Sequence, residues 1–232
     1  MLINDPARRY KNAGEYGGVS TRVYLEVGSK KVFACALDWP GWCRSGKTEE
    51  AALEALAAYA DRYAPIAASA GVRFPKPGAF AVVERVAGSA STDFGAPDGP
   101  ASADFESLTK AQAGRLADLV EAAWIVLERV VAGAPADLRK GPRGGGRDRD
   151  KIVEHVLGAE VSYVRKLGLR FRQPASEDRR AVQEVRTAVL DVLRAARAPA
   201  PDLEKGWPYR YAARRIAWHA LDHAWEIEDR SE

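Results

Sequence analysis

The chain has 232 residues, enough for one or two domains with a sizeable core. Its 35 Lys and Arg against 32 Asp and Glu leave a formal net charge of +3, too small to point by itself to nucleic acid or a membrane surface. No apolar run approaches the roughly 18 to 20 residues that span a bilayer, and Met1-Leu2-Ile3-Asn4-Asp5-Pro6 lacks the basic-then-apolar order of a signal peptide, so a soluble, cytoplasmic protein is expected.

The first half reads as mixed α and β. Thr21 to Val27 alternates around Val23, Leu25 and Val27, and Gly28-Ser29-Lys30-Lys31 joins it to Val32 through Leu37, which predicts a hairpin. Asp38-Trp39-Pro40-Gly41-Trp42 predicts a turn, because Pro40 presets φ and Gly41 tolerates a positive one. Cys35 and Cys43 are too few for a disulfide framework and too far apart for a C-x-x-C redox motif, so Cys35 is expected as a small buried hydrophobe. Thr48 caps a helix with Glu49 and Glu50 in its first turn and Leu53, Leu56, Ala60 and Tyr63 on one face, ending or bending near Pro65. Ala79 to Val86 is a further strand candidate. Gly88 to Ala103, rich in Gly, Pro, Ser and Asp, reads as a linker.

The second half is helical in pattern. Thr109-Lys110-Ala111-Gln112 has the form of a capping box, followed by Leu116, Leu119, Val120, Ala123, Leu127 and Val130 before Gly133. Asp148 or Asp150 can cap a second helix to about Leu167. Pro174 and Ser176 open a third, with Val182, Val185, Val189, Val192 and Ala196 on one face and Pro199 and Pro201 beyond it; Pro208 suits the first turn of a fourth. The expected class is therefore α+β, a β-hairpin and helix module over residues 1–100, linker included, followed by a four-helix bundle over 101–232.

Histidine carries the functional signal. The chain has three, His155, His219 and His223, the last two four residues apart, which places both imidazoles on one helix face. His155 belongs to a helix that can face the fourth across a bundle, so the three are expected to hold a divalent metal, Zn, Ni or Fe, with a coordination position left for water or substrate. The alternative is a set of amphipathic histidines packed at the bundle edge beside Trp218 and Trp225. Glu160, Asp222 and Glu226 are close enough in sequence to accept an imidazole N–H, or equally to be solvated surface carboxylates. Arg215, one turn before His219, could hold an anionic substrate or snorkel at the surface. Arg139 to Lys151 holds six basic and two acidic residues among glycines, either an anion-binding lip carrying Arg143 and Arg147 beside His155 or a solvated loop.

These motifs carry two resemblances. Ile152 to Glu160, with its His155, and His219-Ala220-Leu221-Asp222-His223 resemble the metal-ligand elements of the DinB-like superfamily over Ser107 to Arg230. That resemblance implies a four-helix bundle with a divalent metal on the three histidines and, as in several of its members, a thiol-dependent transferase or isomerase using a low-molecular-weight thiol such as mycothiol or bacillithiol. Phe33 to Gly41 and Gly46 to Leu53 are similar to the hairpin, P-G and G-x-T-plus-acidic-helix pattern of the HicB-like antitoxin module, over Thr21 to Ala70. It implies partner binding, so the alternative function is an antitoxin or binding protein whose helical half is structural. The expected partner of the enzyme is a small anionic molecule, with the N-terminal module free to serve as lid, substrate wall or homodimer surface. The catalytic residues themselves are not identified.

Overall fold

The computed structural model describes residues 20–74, 78–141 and 145–231. They form a mixed α+β chain with one four-stranded sheet and seven α-helices among the described residues. Two compact units emerge, one of residues 20–38, Trp42–Ala64 and Arg73–Gly99, the other of Trp39–Gly41, Pro65–Val72 and residues 100–231.

In the first unit β1 (Thr21–Val27) and β2 (Val32–Ala36) pair antiparallel, Val23 opposite Ala36 and Val27 opposite Val32. The pairing extends on one side to β3 (Cys43–Gly46), a strand that the pattern did not announce, since Cys-Arg-Ser-Gly carries no apolar alternation. On the other side of β1 lies β4 (Phe80–Ala87), parallel to it, giving the order β3-β2-β1-β4. A parallel neighbour requires a crossover. The chain supplies it with α1 (Glu49–Ala58), capped by Thr48 Oγ1 accepting from Ala51 N, and α2 (Ala60–Ser69).

The single helix expected to end or bend near Pro65 is thus two helices broken at Tyr59, and Pro65 lies inside the second. The hydrogen bond lost at Pro65 is offset by burial of the next two residues of α2, Ile66 and Ala67. Trp42 centres the aromatic core of this unit: its Nε1 donates to Leu56 O at 2.9 Å, and its ring lies 5.7 Å from Tyr63, 5.0 Å from Phe74 and 5.7 Å from Phe80.

Register also brings the two cysteines together. Cys35 and Cys43 are cross-strand partners with their sulfurs 2.7 Å apart, both buried, and burial first and Cys35 second push the Cys43 thiol well above its ordinary range. The segment expected as a linker is built into structure. Ser89 caps α3 (Ala90–Phe94), and the wholly buried Glu26 accepts from Asp98 N and Gly99 N at 2.9 Å and from the Thr92 hydroxyl. A buried carboxylate with three donors has its charge answered in place.

The second unit is helical. A 3-10 turn, Ser102–Phe105, precedes α4 (Lys110–Gly133), which starts in the reciprocal capping box of Thr109 and Gln112. α5 (Arg149–Val164) continues into a 3-10 turn Arg165–Leu167, where Gly168 closes it at φ 85°. α6 (Arg179–Ala195) begins later than Pro174 because Asp178 supplies the cap, accepting from Ala181 N at 3.0 Å; α7 (Tyr209–Ser231) is the last helix. α4 packs along α7 and α6, and α5 against α7.

α7 is buried on nearly every side, through Tyr211, Ile216, Ala217, Trp218, Leu221, Trp225 and Ile227, so it is the central helix of the unit. Its small residues permit close approach: Gly41, at φ 93°, rests against it where a Cβ would come within 2.6 Å of Leu221 Cδ1. A buried ion pair fixes its N-terminal half, with Arg214 Nη1 and Nη2 donating to Asp104 at 2.5 and 2.6 Å. Loss of one partner would leave a buried charge unanswered, at a cost of about 3–5 kcal/mol. No helix of the described residues is long and apolar enough to cross a membrane.

Candidate metal centre

The three histidines converge. His219 and His223 stand one turn apart on α7 and His155 reaches them from α5, and one ligand atom from each lies within 4.8 Å of the others. His155 Nε2 and His219 Nε2 are 3.3 Å apart, and the rings meet edge-on with centroids separated by 4.7, 5.0 and 5.1 Å. For a metal–nitrogen bond of about 2.0–2.1 Å, two tetrahedral ligands are separated by roughly 3.3–3.4 Å. The His155–His219 pair therefore already has the spacing of two ligands on one ion.

The electrostatics of His155 and His219 favour the metal-binding form of imidazole. Burial lowers the pKa of His219 well below the ordinary range, and the neighbouring His223, Arg215, His155 and Arg147 lower it further. His155 is lowered by burial, then by His223 and Arg147, with Glu226 opposing. Protons are thus disfavoured on His155 and His219, whose Nε2 atoms approach each other, and an ion that accepts their lone pairs answers the same repulsion. On donor chemistry and spacing the residues fit a divalent metal.

His223 is oriented by its neighbours. Its Nδ1 lies 2.8 Å from Glu226 Oε2, and Arg230 Nη1 donates to Glu226 Oε1 at 2.7 Å. A neutral His223 that donates from Nδ1 presents an unprotonated Nε2 to the centre. The hydrogen bond from His223 is the main cause that lowers the Glu226 pKa, so the carboxylate stays charged. Arg230 also donates from Nε to Arg139 O at 2.8 Å, and Arg139 N returns a bond to Arg230 O at 2.9 Å. A chain of bonds thereby links His223 to the basic glycine loop. Gly146 of that loop, at φ 118°, leaves the space that the Arg230 guanidinium fills, since a Cβ there would lie 2.7 Å from Nη2.

The other sequence candidates fall in different places. Glu160, buried, faces Arg186 at 3.4 and 3.5 Å; five residues from His155 is about 140° around the helix, so its carboxylate is engaged with a guanidinium and not with an imidazole. Asp222 is half-buried and, one position before His223, projects about 100° away from it. Arg147 is exposed and lines an open cleft of about 520 Å³ together with His155, Lys151, Glu154 and Gln173. Arg143 lies outside the described residues. Asp148 occupies the cap position of α5 but accepts from Leu138 N and Lys140 Nζ instead of capping the helix with its side chain. Arg215 lies over Trp218 at 4.7 Å and Tyr163 at 5.3 Å.

No protein-family model, curated protein or solved structure matches the chain. The centre therefore stands on its own geometry.

Sequence reasoning missed the aromatic wall of the site. Tyr163 lies 5.6 Å from His219 and 5.2 Å from Trp207, and Trp207 lies 5.0 Å from Tyr211. Tyr163 comes from the helix that bears His155 and Trp207 from the segment before α7, so no local spacing foretold their meeting. Arg230 was legible: it comes four residues after Glu226, which itself comes three after His223.

Proposed function

We propose that His155, His219 and His223 hold one divalent ion, zinc, nickel or iron, in a DinB-like four-helix bundle formed by α4 to α7, and that the protein is a metal-dependent enzyme of the thiol-transferase kind. The observation that carries this reading is the convergence of the three histidines of the chain, from two helices, with ligand atoms within 4.8 Å. When bound, such an ion supplies Lewis acidity, which lowers the pKa of a thiol or water at its open position.

The chain's own residues do the rest. Glu226 holds His223 in one tautomer, and Arg230 holds Glu226. Tyr163 packs beside His219 and limits water on that side, while Arg147 and Lys151 on the open cleft attract an anionic thiol or its partner substrate. The N-terminal unit, with its HicB-like pattern, is assigned the role of a binding module, for substrate or for a second copy of the chain.

The test is metal analysis of the purified protein followed by cobalt(II) replacement. One equivalent of metal per chain and a thiolate-to-cobalt absorption band on addition of a low-molecular-weight thiol are expected. A metal-free protein that co-purifies with a small basic partner would replace this reading with the antitoxin-type alternative.

A further inference from the structure

We infer that Arg215 anchors the carboxylate of a small organic acid bound beside the histidine centre, which makes the anionic group of that acid the feature the site recognises. The inference rests on the metal reading for the acid's chemical purpose, though not for its binding.

Other guanidiniums drawn into the helical unit are held by acids or, for Arg210, by Ser107 O and Gln112 Oε1. Arg186 meets Glu128 and Glu160, Arg214 meets Asp104, and Arg230 meets Glu226. Arg215 differs. Single nitrogens of Arg210, Arg214 and Arg230 also lack partners, but each of those groups is held through its other nitrogens, whereas Arg215 has both Nε and Nη1 buried without a partner and forms no hydrogen bond or ion pair among the described residues. Stacking on Trp218 and Tyr163 holds the guanidinium in place but leaves those N–H donors unanswered. What is missing is an acceptor carrying negative charge.

Position supplies the second argument. Arg215 precedes His219 by one turn of α7, so both side chains project from one face, and both flank the ring of Tyr163, at 5.3 and 5.6 Å. A ligand whose anionic end meets Arg215 is thereby placed within one helical turn of a metal ligand. The neighbouring wall, Tyr163, Trp207 and Tyr211, is aromatic, and both Tyr163 and Trp207 are part-exposed. Such a wall suits the flat apolar body of an organic acid better than a hydrated inorganic anion.

The test uses calorimetric titration of the full-length, zinc-loaded protein with benzoate, benzamide and inorganic phosphate, in wild type, Arg215→Gln and Arg215→Lys, with metal content measured for each. Benzoate is expected to bind wild type at least tenfold more tightly than benzamide, the span of one charge-assisted contact. Arg215→Gln should lose that preference and Arg215→Lys keep part of it, all three with the same metal content. Equal binding of benzoate and benzamide to wild type, or wild-type benzoate affinity in Arg215→Gln, overturns the proposal. Tighter binding of phosphate than of benzoate overturns the carboxylate assignment. Should Arg215→Gln fail to fold, the wild-type amide comparison and Arg215→Lys decide. Failure of the metal reading shows separately, as a protein without metal whose benzoate binding still depends on Arg215.

Discussion

Replacing His219 by Ala is the most direct perturbation of the centre, since His219 is the most buried of the three histidines, at 6% exposure, and its Nε2 lies 3.3 Å from that of His155. In the metal-free protein the substitution has two opposing effects. It removes packing against Tyr163 and Trp218, a loss of about 2–3 kcal/mol, and it removes a buried Nδ1 that has no hydrogen-bond partner, which returns about 1–3 kcal/mol. The metal-free melting temperature is therefore a poor measure. The response to metal separates the cases: an ion present at a hundred times its dissociation constant stabilises the folded state by about 2.7 kcal/mol. For a helical unit of roughly 130 residues that corresponds to a rise of about 10 °C. Differential scanning calorimetry with and without zinc should show this rise in wild type and none in His219→Ala, with elemental analysis giving one equivalent and none. A His219→Ala protein that keeps both the equivalent and the rise refutes the site.

The surroundings of the centre lead to three further outcomes. Glu226→Ala should weaken zinc binding about 10- to 100-fold in competition with a chromophoric chelator, because His223 loses its orienting acceptor; unchanged affinity would remove Glu226 from the site. Arg147→Gln should leave metal content intact and weaken binding of mercaptosuccinate about two- to fivefold at low salt, with the difference vanishing at high salt; equal low-salt affinity returns the loop to a solvated connector. Burial raises the Glu160 pKa above its ordinary 4.5, so the folded state holds this proton more tightly than the unfolded one; its contribution to stability is full below pH 4.5 and is lost as pH rises through the folded pKa. Urea unfolding from pH 4 to 8 should therefore show the stability of wild type relative to Glu160→Gln falling with pH, and a constant difference contradicts the assignment.

What the sequence disclosed was what local spacing governs. The four-residue interval of His219 and His223 places them on one face in any helix, and the Thr109 to Gln112 box and the position of Pro208 mark helix starts through backbone chemistry alone. Elements that depend on distant partners stayed hidden. Cys43–Gly46 is a strand only because β2 lies beside it, β4 joins β1 in parallel through two helices, and the Gly- and Pro-rich stretch after β4 is ordered by a glutamate more than sixty residues earlier. The same division runs through the site: Glu226 is reached along α7, whereas Tyr163 and Trp207 meet His219 across elements.

The distribution of answered and unanswered polar groups gives the site its meaning. Elsewhere a buried charge has its complement at hand: Glu26 has two backbone amides and a hydroxyl, Asp104 has Arg214 and Ala101 N, and Arg186 has two glutamates. A sequence able to satisfy these groups is under no general compulsion to leave others bare. Single nitrogens of Arg210 and Arg230 also go without partners, yet along one turn of α7 Arg215 has no acid at all and His219 Nδ1 no partner, and three imidazoles crowd together where protonation of His155 and His219 is opposed by burial and by their neighbours. Each deficit is of a kind that a ligand repairs: nitrogen lone pairs by a cation, guanidinium N–H groups by an anion. A metal ion and a carboxylate bound side by side would also attract each other's charge, so binding of either should strengthen binding of the other by the same factor. Benzoate titrations of the metal-free and zinc-loaded protein measure that coupling directly, and an affinity indifferent to zinc would mean that the two deficits belong to separate sites.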